Sequence, residues 1–133
     1  MNKSIISSAL FLTLSALAAS TASADANCED VDIELTNRFV QNGDNKDIRV
    51  TDLQYFDAED GKWRNEVVAN ARIGFGDAHT YTRDLERVGG ETGVRLKVFF
   101  QYNLGGTAWS DTLTATSPTF TCVDGMTVAF DID

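Results

Sequence analysis

The sequence predicts an all-β domain, an antiparallel β-sandwich of about seven to nine short strands closed by one disulfide. Three observations carry this. Val94, Leu96, Val98, Phe100 and Tyr102 take every second place in a nine-residue run, with Arg95, Lys97, Phe99 and Gln101 between them. That is the period of a strand with one buried face. Shorter alternations of the same kind precede and follow it, and Asp-Gly and Gly-Gly turn signals with a single proline separate them.

The chain begins with what reads as a cleaved secretory signal peptide, residues 1–24. Lys3 supplies a positive start and residues 5–19 an apolar run interrupted only by Ser and Thr. Ala22-Ser23-Ala24 forms a small-x-small cleavage site. The run is too short and too rich in Ser for a membrane anchor. Residues 25–133 are then expected to be one exported domain, periplasmic or extracellular, with no transmembrane segment. They hold ten Lys and Arg against twenty Asp and Glu, a net charge of −10. Such a balance disfavours nucleic acid and anionic lipid and favours cationic partners or metal ions. Cys28 and Cys122, 94 positions apart, are expected to pair as a disulfide, since neither has the spacing of a metal or redox pair.

Within the domain, Val31, Ile33 and Leu35 mark a first strand, and residues 41–47 read as a loop. The second strand starts at Ile48 and Val50 and resumes at Leu53 and Tyr55, a slip that predicts a β-bulge near Thr51 and Asp52. Asp60-Gly61 signals a hairpin. Trp63, Val67 and Ala71, and then Tyr81, Leu85 and Val88, also fit helical spacing, so a short helix near 79–88 competes with strands there. Asn103-Leu104-Gly105-Gly106 reads as a tight turn. Trp109, Leu113 and Ala115 share one face of the next strand, which places Trp109 in the core. Phe120 and Cys122 continue in extended form to Asp124-Gly125, and Met126, Val128, Phe130 and Ile132 alternate to the end.

No catalytic motif emerges. His79 is the only histidine and no nucleophile accompanies it, so it reads as a surface residue at a strand start. If every connection reverses the chain, the loops at 57–61, 76–78, 103–107 and 124–125 share one end of the sandwich. Asp57, Glu59, Asp60, Asp77, Asn103 and Asp124 would then offer oxygen ligands to calcium, the one cofactor the sequence suggests. Trp63 and Trp109, with Asp57, Asp60 and Asp111, form a candidate ligand site, in which indoles stack on sugar and acids or amides bond hydroxyls. The segment 96–112 with Trp63 resembles starch-binding β-sandwich modules in its aromatic strand, glycine turn and tryptophan. Ser110-Asp111-Thr112 replaces the acidic and amide run of those modules. Phe99 alternates onto the polar face, where an exposed phenylalanine would mark a contact patch.

Three functions follow, in order of preference. The first is a non-enzymatic binding domain holding a glycan or a protein on its end loops. The second is an acidic inhibitor or interaction protein that captures a cationic hydrolase, and the third a hydrolase working through carboxylates. Salt separates the first two: stacking on sugars survives high salt, whereas capture of a basic enzyme weakens.

Overall fold

The structure, a computed structural model, describes residues 26–133, so the expected signal peptide at 1–24 lies outside the described residues. Every regular element described is a strand: β1 (Cys28–Asn37), β2 (Val40–Gln41), β3 (Asp44–Asn45), β4 (Ile48–Asp57), β5 (Lys62–Glu66), β6 (Ala71–Ile73), β7 (Ala78–Leu85), β8 (Arg95–Gly105), β9 (Ala108–Trp109), β10 (Leu113–Thr116) and β11 (Thr127–Ile132). The segment 79–88 is strand and turn rather than helix. Tyr81 and Leu85 face inward at a period of two, and the turn after β7 places Arg87 at a positive φ of 68°. No helix among the described residues is long and apolar enough to cross a membrane.

Two sheets enclose one core. The smaller has the order β11-β1-β7 and the larger β10-β8-β4-β5, with β6 also on β4 and β9 on β8. Val31, Ile33 and Leu35 of β1 belong to the same buried cluster as Leu53 and Tyr55 of β4 and Leu96, Val98 and Phe100 of β8. The predicted central strand is therefore central: β8 lies between β10 and β4. Side chains on the inner faces also tie one segment to another. The Tyr55 hydroxyl donates to Glu86 O at 3.2 Å and the Tyr81 hydroxyl to Ala69 O at 2.8 Å.

The β-bulge falls where the alternation slips, between Val50 and Asp52. Elsewhere the structure departs from the expectation in informative ways. The stretch 41–47 contains a small hairpin, β2 on β3, because Asn42 and Gly43 both adopt positive φ (52° and 81°) in the manner of a two-residue hairpin turn. β5 and β6 pair with successive halves of the same partner, β4, and run in the same direction. The connection at 67–70 therefore does not reverse the chain. The sheets are not purely antiparallel either, for β1 and β11 are parallel. Residues 117–126 stay at the end of the sandwich where β10 leaves them, so β11 starts beside the start of β1.

Cys28 and Cys122 are joined, as expected. Cys122 lies in the segment before β11, not in a strand: among the described residues, 119–122 form one isolated bridge, Val94 to Phe120. In the chain-entropy account the clasp stabilises by roughly 4–5 kcal/mol, at the upper end of what disulfides supply. Gly89 permits the close approach beneath it, since a Cβ there would meet Asn27 O at 2.6 Å.

Candidate binding face

The alternation that fills the core leaves the other face of the larger sheet outward. On β4 that face carries Arg49, Asp52, Gln54 and Phe56; on β5, Trp63 and Asn65; on β8, Arg95, Lys97, Phe99 and Gln101. Register aligns them in rows, with Phe56 opposite both Trp63 and Arg95, and Gln54 opposite both Asn65 and Lys97. β6 adds Arg72, opposite Arg49, and β9 adds Trp109, opposite Asn103.

Two similar groups result. Around half-buried Trp63, Lys97 Nζ lies 3.9 Å and the Arg95 guanidinium 5.4 Å from the ring centroid, with Phe56 at 5.2 Å. Around half-buried Trp109, the Arg49 and Arg72 guanidiniums lie at 4.6 and 5.5 Å. Such cation–π contacts are worth about 0.5–2 kcal/mol each. Arg72 also pairs with Asp47 at 2.9 Å, and Arg49 Nε donates to Gln101 Oε1 at 2.8 Å. Among the described residues Arg95 and Lys97 have no carboxylate partner; only rings accept their charge. Seven positions along β4 separate the groups, about 20 Å at the rise of a strand. Between them lies an open hollow of about 270 Å³ lined by Asp52, Gln54, Asn65 and Phe99, with Gln54 Nε2 donating to Asn65 Oδ1.

Trp109 thus departs from its expected place in the core. β9 ends at Trp109 and β10 begins at Leu113, so parity does not carry through the break. At the break Ser110 N donates to Tyr102 O, while its hydroxyl accepts from Tyr102 N. Leu113 and Ala115 do line up opposite Phe100 and Val98. Phe99 is half-buried in the hollow, on the outward face as expected. Asp111 is exposed beside Trp109 in a separate open cleft of about 400 Å³ with Tyr102, Leu104 and Leu113.

The acidic loops divide between the two ends. Asp57, Glu59, Asp60 and Asp124 lie at the end where β8 begins. Asp77 and Asn103 lie at the other, where Asp77 O accepts Asn37 N and Asn103 N donates to Asp47 O. The assumed reversal at 67–70 is the source of the difference. The ligand candidates Asp57, Asp60 and Trp63 are likewise separated from Trp109 and Asp111. Among the described residues no three His, Cys, Asp or Glu side chains converge as metal ligands would. Asn103 caps its own turn, and Asp124 Oδ1 accepts Glu29 N at 2.8 Å. His79, half-buried at the start of β7, sits edge-on to Tyr81 at 4.6 Å.

At the first end, Asp57 is 2% exposed and bonded to Arg64 Nε at 2.8 Å and Asp60 N at 3.0 Å; Arg64 also bridges to Asp60. Burial pushes the Asp57 carboxyl up, but those hydrogen bonds and the guanidinium charge outweigh it and hold it below the ordinary carboxylate value. Glu91, 7% exposed, accepts Glu59 N at 2.8 Å through Oε1, while Oε2 has no hydrogen-bond partner among the described residues. Burial raises its pKa and the Asp57 charge adds to that. Sequence reading missed Glu91, which has no distinguishing neighbour pattern.

The smaller sheet presents the opposite character. The outward positions of its strands carry Asp32, Glu34, Asp84 and Asp131 among threonines, and no Lys or Arg. A groove of about 510 Å³ along it is lined by Glu34, Thr36, Thr116, Pro118, Asp131 and Asp133, among others.

In comparisons with protein families, curated proteins and solved structures, the chain has no significant match, so the resemblance to starch-binding modules rests on its own residues alone.

Proposed function

We propose that the chain is an exported, non-enzymatic binding domain that holds a glycan on the outward face of its larger sheet rather than on its end loops. The single observation that carries this reading is the placement of both tryptophans on one face, each half-buried and flanked by two cations. Amides of Gln54 and Asn65 between them, with that of Gln101 beside Arg49, supply donors and acceptors for hydroxyls. Asp57 and Glu91, the pair best suited to carboxylate chemistry, are buried, and Asp57 is taken up by Arg64. Co-sedimentation with insoluble polysaccharides tests the reading. Wild type is expected in the pellet and Trp63→Ala with Trp109→Ala in the supernatant; equal sedimentation of both would refute it.

A second reading has its own support. The acidic outward face of the smaller sheet suits a cationic protein, including a basic hydrolase, through electrostatic steering. Glu34→Lys with Asp131→Lys is then expected to abolish inhibition of such an enzyme.

A further inference from the structure

We propose that the glycan is an anionic polysaccharide, bearing carboxylate or sulfate groups, which lies along β4 and β8 with anions at the two tryptophan groups. This rests on the glycan reading above and narrows it to one chemical class. Four of the ten cations in residues 25–133 stand on this single face, in a chain whose net charge there is −10. Arg95 and Lys97 have no carboxylate partner among the described residues although acidic side chains outnumber basic ones two to one. A guanidinium offers a carboxylate or sulfate a planar set of donors, stronger than neutral hydrogen bonds.

The two groups also repeat one another. Each group comprises one indole and two cations, and the two stand about 20 Å apart along the strand direction. Like groups at a fixed interval fit a ligand that itself repeats, and occupation of both raises apparent affinity without further contacts. The ground between them is a shallow hollow lined by amides, Phe99 and the exposed Asp52, suited to hydroxyls rather than to charge. Lys97 covers one face of Trp63 at 3.9 Å, so the indole there positions a cation more than it offers a platform for bare stacking. Single-stranded nucleic acid, which needs open ring faces and a backbone groove of continuous positive charge, fits less well.

Isothermal titration of the disulfide-bonded protein separates the possibilities, with oligogalacturonate, a sulfated glucan, uncharged maltohexaose and single-stranded DNA as probes. Either acidic saccharide is expected to bind, and the tighter of the two identifies the anion. Arg95→Gln with Lys97→Gln is expected to weaken binding about tenfold. Asp52→Asn is expected to strengthen it, an opposite sign that general loss of structure would not produce. Maltohexaose binding as tightly as the acidic probes, with both variants unchanged, overturns the anionic assignment and leaves the glycan reading standing. No saccharide binding at all overturns both, and DNA binding tighter than either acidic saccharide overturns the assignment to a polysaccharide.

Discussion

Asp57 and Glu91 show how two buried carboxyls under one turn acquire opposite pH dependence. Asp57 is held below the ordinary range, so its contribution to stability is present above the unfolded value near 4 and is lost as pH falls through its depressed folded value. Glu91 is raised, so its contribution is complete below about pH 4 and is lost as pH climbs through its folded value. As pH rises the Glu91 carboxyl therefore works increasingly against folding. Glu91→Gln, which keeps an acceptor for Glu59 N–H, is expected to raise the melting temperature at pH 7 and to have no such effect below pH 4. A variant that melts lower at pH 7 would contradict this. Arg64→Ala leaves buried Asp57 without its cation and is expected to cost about 3 kcal/mol in urea unfolding. At this scale the sequence was only partly legible. Phe99 could be placed outward from strict alternation, but Trp109 could not, because Ser110 takes the hydrogen bonds of Tyr102 and breaks parity just after the tryptophan.

The strands themselves were largely readable, since a period of two in Val94 to Tyr102 and in Met126 to Ile132 admits few other solutions. What one dimension could not give was the sense of each connection. Glu66 and Ala71 belong to strands that share β4 as partner, and nothing in Val67 to Asn70 distinguishes a continuation from a reversal. That single ambiguity moved the loops at 76–78 and 103–107 to the wrong end. The parallel pairing of β1 with β11 was equally hidden, for it depends on a partner 95 positions distant at Asp32 and Thr127. The disulfide closes the same end of this pair. Replacing Cys28 and Cys122 by alanine is expected to lower the melting temperature by about 10–20 °C. Hydrogen exchange should show protection lost first in β11 and the start of β1. Earliest loss in β4 or β8 would place the weak point elsewhere.

Taken whole, the molecule carries two unlike faces: cations over aromatic rings on the larger sheet, carboxylates among threonines on the smaller. The net charge of −10 over residues 25–133 conceals this, because it averages a cationic strip into an acidic surface. Binding of an acidic saccharide is expected to weaken as salt rises to about 0.5 M, where exposed charges are screened beyond a few ångströms. The measurement closest to the central claim is a nitrogen–proton chemical-shift map of the labelled protein titrated with oligogalacturonate. Shifts are expected in β4, β5, β6, β8 and β9 alone, including the indole N–H signals of Trp63 and Trp109. Shifts confined to the end loops around Asp57 and Asp124, or to β1 and β11, would contradict that claim.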